Sequence, residues 1–205
     1  MKGTLNVDAQ FGGTLNNPEA DVSVDVENGG VGTTSFDSLT GLFNLKNGIV
    51  QVSQLLMKKG IYKASAYGIV PLKALQSKPW EMPDDYEQIQ LKVSLDQADL
   101  SILPMLSNSV DWAIGPLRGG VMITGTLAHP LINGNIRLTD GAMKWRALKN
   151  PVQNMQMAIE FKDDQMTINN CSGWMGKGSY TLTGSTLITG GGFDRYAFDL
   201  QLSNL

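Results

Sequence analysis

Across 205 residues, 16 Lys and Arg stand against 19 Asp and Glu, giving a net charge of -3 and no attractive field for nucleic-acid phosphates. The basic residues are scattered, so no polybasic run binds an anionic membrane surface. With 42% apolar residues, only 17% charged and 23 glycines, the balance excludes disorder and suits short strands joined by tight turns.

No apolar run approaches the roughly 18 to 20 residues that a membrane-crossing helix needs, and Met1-Lys2-Gly3-Thr4 has no signal-peptide core. If the parent is exported, its targeting segment is expected outside this chain. Both ends fall within strand-like alternation, which reads as a piece of something longer. Cys171 is the single cysteine and His129 the single histidine, so neither an internal disulfide nor a zinc site follows from these residues.

Taken in chain order, Leu5, Val7, Ala9 and Phe11 alternate with polar residues, as do Val22, Val24 and Val26. A period of two marks a strand with one apolar and one wet face. Asn28-Gly29 and Asn47-Gly48 supply the positive φ angles of hairpin turns. Ser77 to Asp85, holding Pro79, Pro83 and the adjacent Asp84 and Asp85, reads as an irregular loop. Alternation resumes at Ile89, Leu91, Val93 and Leu95. Leu100 to Leu106 spaces its apolar residues for one short amphipathic helix or turn against the end of a sheet. Asn133-Gly134 fits a turn or a bulge and Asp140-Gly141 a hairpin turn. Met155, Met157, Ile159 and Phe161 form another strand, Gly190-Gly191-Gly192 a hairpin loop, and Tyr196, Phe198, Leu200 and Leu202 a last strand.

A shift of 112 residues carries Gly3, Gly13, Thr14, Leu15, Pro18 and Gly29 onto Gly115, Gly125, Thr126, Leu127, Pro130 and Gly141. A shift of 116 carries Lys46, Gly60 and Gly68 onto Lys162, Gly176 and Gly184. The expected organisation is two related β-units, 1–73 and 115–205, joined by a loop, strand and short helix over 74–114 and forming one continuous sheet. The fold class is all-β: an elongated, curved, incompletely closed sheet of antiparallel meanders.

The stretch Gly115-Pro116-Leu117-Arg118-Gly119-Gly120-Val121-Met122-Ile123-Thr124-Gly125-Thr126-Leu127-Ala128-His129-Pro130, followed by Ile132-Asn133-Gly134-Asn135-Ile136-Arg137-Leu138-Thr139-Asp140-Gly141, resembles the repeats of the TamB family, translocation and assembly module proteins of the AsmA-like superfamily. Asp99-Leu100-Ser101-Ile102-Leu103 and Lys177-Gly178-Ser179-Tyr180-Thr181-Leu182-Thr183-Gly184 fit the same pattern. The resemblance implies a β-taco anchored in the inner membrane and crossing the periplasm. It further implies conduction of phospholipids along an apolar groove, with no cofactor. The partners it implies are neighbouring repeats of the parent chain and an outer-membrane barrel of the TamA type, with a role in outer-membrane protein assembly.

On that reading the groove face carries Val22, Val24, Val26, Phe43, Leu45, Val50, Val52, Tyr62, Ile89, Leu91, Val93, Val121, Ile123, Ile136, Leu138, Met157, Ile159, Phe161, Met166, Ile168, Leu182, Phe198 and Leu200. Alternation by itself equally describes the core of a closed β-sandwich. The 10 methionines suit adaptable apolar contact or gap filling. Trp80, Trp112, Trp145 and Trp174 fit strand-edge caps or a membrane-facing rim.

No catalytic residue is expected. His129 sits in a Gly-Thr-Leu-x-x-Pro turn, and the acidic pairs Asp84/Asp85 and Asp163/Asp164 read as solvated turns, because neighbours in a strand point to opposite faces. Gly176-Lys177-Gly178-Ser179 fails as a phosphate loop: Cys171 stands where the first glycine belongs, and Gly178 where Ser or Thr must follow the lysine. The alternative to a lipid conduit is an interaction module whose open sheet edges pair with strands of the barrel partner.

Overall fold

The computed structural model describes residues 2–31, 34–73, 88–95, 97–126, 129–189 and 192–204. The first five strands, β1 (Lys2–Thr14), β2 (Asn17–Val31), β3 (Thr34–Lys46), β4 (Ile49–Lys59) and β5 (Tyr62–Pro71), pair in sequence order. Next come β6 (Gln90–Ser94), β7 (Ala98–Asp99), a 3-10 turn (Leu100–Ile102), a single-turn helix α1 (Leu103–Leu106) and β8 (Val110–Ile114). The chain finishes with β9 (Pro116–Gly125), β10 (Pro130–Trp145), β11 (Val152–Lys162), β12 (Gln165–Met175), β13 (Gly178–Thr189) and β14 (Gly192–Ser203).

All fourteen strands among the described residues belong to one antiparallel sheet, and it does not close into a barrel. Both β6 and β7 run along β9, while β8 and β9 both run along β10, so each couple is one interrupted strand. The interruption in the second couple is Gly115 at φ 135°, where a side chain would run into the Gly141 backbone. The result is an up-and-down meander with β1 at one edge and β14 at the other.

The two halves of the meander share their irregularities. Shifted by 116 residues, the bounds of β4 fall on those of β12. The bulge in the β3/β4 pair lies between Leu42 and Phe43, and that in β11/β12 between Ala158 and Ile159, which is the same shift. The β4/β5 bulge between Val52 and Leu55 likewise maps onto the β12/β13 bulge between Ile168 and Cys171. Gly68 (φ 147°) and Gly184 (φ 146°) also correspond. Bulges bend the strand that carries them, so both halves bend at matching places while the sheet runs through them unbroken.

Two expected hairpin turns are corrected. Asn28-Gly29 lies inside β2 and Asp140-Gly141 inside β10; Asn28 (φ 50°) and Asp140 (φ 52°) are bulge positions. Positive φ serves bulges as well as turns, and sequence does not distinguish the two uses. Asn133-Gly134 is also within β10, whereas Asn47-Gly48, at φ 52° and 74°, is the β3/β4 turn.

The segment from Leu95 to Ile114 folds against the apolar face. Asp99 is buried and fixes the 3-10 turn: one carboxylate oxygen accepts from the Ser101 N–H at 2.9 Å, the other from the Gly115 N–H at 3.0 Å. The turn's side chains then pack with Leu117, Leu138, Met143, Val152 and Met155 in the main core cluster, which reaches Ala64 on one side and Tyr180 on the other.

Candidate functional site

Residues directly opposite in an antiparallel ladder point to the same face. One such row runs from edge to edge: Val7, Val24, Gly41, Leu55, Ala66, Val93, Val121, Gly134, Phe161, Met166, Thr186 and Tyr196. Its two hydroxyl-bearing members are Thr186 and Tyr196, and Thr186 is buried with its hydroxyl donating to the Asp194 carbonyl at 3.0 Å. At about 4.8 Å between strands, the row extends some 50 Å along the sheet.

All twenty-three expected groove residues lie on this face. Val22, Phe43, Val52, Leu91 and Ile123 form one neighbouring row, with Leu45 opposite Val50 in the next and Val26 in another. On the far side of the long row, Ile136, Ile159, Ile168 and Phe198 follow one line and Leu138, Met157, Leu182 and Leu200 a second. Tyr62 alternates with Ala64 and Ala66 on β5, and Ile89 stands opposite Gly125, to which its N–H donates. Val50, Val52, Ile89 and Leu138 are buried, Phe198 and Leu200 are exposed, and the others are half-buried.

Cover is uneven along this face. The Leu95 to Ile114 segment seals the part around Leu117, Leu138 and Met155, whereas the apolar residues of the edge strands stay open: Leu5, Val7 and Phe11 on β1, and Phe193, Tyr196, Phe198, Leu200 and Leu202 on β14. Ile136 packs against the sealed core, so it is a core residue as much as a groove residue.

Several same-face residues escape a reading by strict alternation. Leu55 and Met57 are placed here by the bulge after Val52, and Cys171 by the bulge after Ile168, because the extra residues reverse the parity of the strand. Leu5, Val7, Ala9, Phe11, Tyr196 and Leu202 alternate plainly and belong with the groove by pairing.

The thiol of Cys171 sits 4.0 Å from the Tyr180 hydroxyl. Burial pushes the thiol above its ordinary value of 9.0, against the lowering effect of the Tyr180 hydrogen bond. Burial, followed by the neighbouring thiol, also raises the Tyr180 phenol. Both groups keep their protons at neutral pH, and a protonated thiol is a poor nucleophile.

His129 is exposed in the turn after β9, where its N–H donates to the Thr126 hydroxyl at 3.1 Å. Asp163 (φ 56°) and Asp164 form the β11/β12 turn; the Asp163 carboxylate accepts from the Asn133 amide at 3.2 Å. Gly176-Lys177 is the β12/β13 turn. Trp112, Trp145 and Trp174 are partly exposed on β8, β10 and β12. Asp84, Asp85, Trp80, Gly190 and Gly191 lie outside the described residues. Among the described residues no group of three or more His, Cys, Asp or Glu is placed to hold a metal ion.

No family model, curated protein or solved structure matches this chain.

Proposed function

We propose that this chain binds phospholipid acyl chains on the open part of its apolar face and conducts them along the sheet, between the inner and outer membranes of a bacterial envelope. The observation that carries the reading is the edge-to-edge row from Val7 to Tyr196, sealed only around the Leu95 to Ile114 segment. Exposed apolar surface of this extent calls for an occupant. An acyl chain satisfies it at about 0.8 kcal/mol per methylene buried, and such contacts are non-directional, so the chain is held yet slides. The periplasmic setting, the inner-membrane anchoring of the parent and membership of the TamB family rest on the sequence resemblance.

On this reading the chain is not an enzyme. The side chains facing the groove are mainly apolar; among those with hydroxyls, Thr186 is buried and donates to the Asp194 carbonyl, and burial holds the Cys171 thiol above its ordinary value.

Photocrosslinking tests the proposal. A photoreactive amino acid at Val24 or Phe161 should capture phospholipid in the cell envelope, while one at Thr40 or Glu160, which alternate onto the opposite face, should not. Equal capture from both faces, or none from either, contradicts the proposal.

A second reading rests on the exposed edge strands: β14 has every described residue from Gly192 to Asn204 exposed. Such an edge can add a strand of an outer-membrane barrel of the TamA type through backbone hydrogen bonds. Leu200→Pro, which removes a backbone N–H, should then abolish co-purification with the barrel, whereas Leu200→Ala and other groove substitutions that keep the backbone should leave it intact.

A further inference from the structure

On the polar face of the sheet, opposite the groove, strand pairing gathers cations that the sequence keeps apart. Leu56, Ser65, Ser94, Gly120 and Asn135 form a cross-strand row there through the middle of the sheet. Two residues further along the strands, on the same side of that row, Lys58 stands directly opposite Lys63 and Arg118 directly opposite Arg137. All four are exposed, and among the described residues none of them forms an ion pair. The strands β4, β5, β6 and β9 contain no Asp or Glu. Asp96 lies outside the described residues.

Like charges directly opposite one another weaken a sheet. Elsewhere on this face charge is matched: Lys46 pairs with Glu19 at 3.4 Å, and the Asp21 carboxylate accepts from the Asn44 amide at 2.7 Å. The two basic pairs are left uncompensated, so the middle of the face carries a positive field in a chain whose net charge is -3. From β4 to β10 the row crosses five strands, roughly 19 Å at about 4.8 Å per step. It is bounded by Ser38 and Glu27 on one side and by Ala158 on the other. Beside it, Ser94 and Gly120 leave a depression between Lys92, Met122 and Asn133, and Asn135 and Arg137 line a second one that adjoins the first at Asn133.

We infer that Lys58, Lys63, Arg118 and Arg137 seat an acidic, extended segment of a partner protein, laid across the strands on the face that the groove does not use. Charge complementarity selects an anion, and the outline of the row selects a short and narrow one. A broad anionic surface such as a membrane would also press on Asp21, Asp25 and Glu27 of β2 and on Glu160 of β11, which lie on the same face. A long phosphate polymer would meet the same acids as it left the row. An extended peptide of about six residues spans the four cations and ends before them. Paired guanidinium groups suit carboxylates, which they hold through two parallel hydrogen bonds. The inference concerns the middle strands of the polar face and does not rest on lipid occupancy of the groove.

Fluorescence anisotropy of a labelled hexaglutamate peptide tests the seat on the full chain. The parent should bind hexaglutamate and not hexaglutamine, more weakly as salt is added. Lys63→Gln with Arg137→Gln, which takes one cation from each pair, should weaken binding about five- to tenfold, and replacing all four should abolish it. Lys177→Gln with Arg195→Gln removes the same charge from exposed positions away from the row and should change binding less than about twofold. Because a like-charge pair is relieved, the Lys63→Gln, Arg137→Gln chain should melt no lower than the parent. No binding of hexaglutamate to the folded parent, or equal weakening by the two double variants, would overturn the inference. So would a lowered melting temperature in the row variant, which would make the pairs part of the fold's packing. Binding to phosphatidylglycerol vesicles that depends on the same four residues would overturn it too, by assigning the row to a membrane surface.

Discussion

Leu138 and Leu200 belong to one cross-strand row, linked through Met157, Cys171 and Leu182, yet Leu138 is 1% exposed and Leu200 57%. The same residue type on the same face is core at one position and open surface at the other. What separates them is the Leu95 to Ile114 segment, which covers Leu138 and does not extend to β14. Truncation should expose that difference: Leu138→Ala is expected to cost about 2–5 kcal/mol, and Leu200→Ala under about 0.5 kcal/mol. Denaturant titration of the two variants measures both.

Charge on the face should divide in the same way. Leu200→Asp and Phe198→Asp should leave a folded chain that no longer retains lipid, because a carboxylate at an exposed position is solvated when the groove is empty. Met155→Asp and Ile136→Asp should unfold it, since an unpaired carboxylate enters the sealed core. Circular dichroism, with phospholipid extracted from the same samples, separates the two outcomes.

The sealed region depends on Asp99. Asp99→Ala removes the acceptor for the Ser101 and Gly115 N–H groups, leaving two donors in a buried place, and should cost about 1–3 kcal/mol. Limited proteolysis should then cut first within residues 97–114. Asp99→Asn keeps one acceptor oxygen and should fall between the variant and the parent chain.

Gly68 and Gly184 test the shared backbone geometry. At φ 147° and 146°, a methyl group at either position meets the carbonyl oxygen of the next strand, Gln90 or Ala197. Gly68→Ala and Gly184→Ala should each destabilise by about 1–3 kcal/mol or more. If thermal melts showed only one of them to matter, the equivalence of the two positions would fail.

Alkaline pH should weaken the fold through Cys171 and Tyr180. For the thiol, the unfolded chain loses its proton near the ordinary value of 9.0 while the folded chain still holds it. The thiol's contribution is therefore complete below about pH 9 and is lost as pH rises toward the folded value. Tyr180 acts in the same direction at higher pH. A Cys171→Ala, Tyr180→Phe chain should lose less stability between pH 8 and 11 than the parent, and an equal loss would contradict this assignment.

The face of the sheet was legible in the sequence because polar and apolar residues alternate without interruption in segments such as Leu5 to Phe11 and Val22 to Val26. The repeat in the glycines was legible for a related reason: Gly68 and Gly184 occupy a conformation that other residues rarely adopt. What remained hidden was the effect of bulges. They moved Leu55 and Cys171 onto the groove face and turned Asn28-Gly29 and Asp140-Gly141 from expected turns into strand positions. Bulges and turns both use positive φ, so only pairing separates them. The division between sealed and open parts of the face was also invisible, because it depends on where the Leu95 to Ile114 segment folds back.

The most direct test of the proposed function is native mass spectrometry of the chain purified gently from cells, with lipid analysis of whatever stays bound. The account predicts retained phospholipid in the parent chain and its loss in folded Leu200→Asp and Phe198→Asp. A folded parent chain without lipid, indistinguishable from these variants, would contradict it.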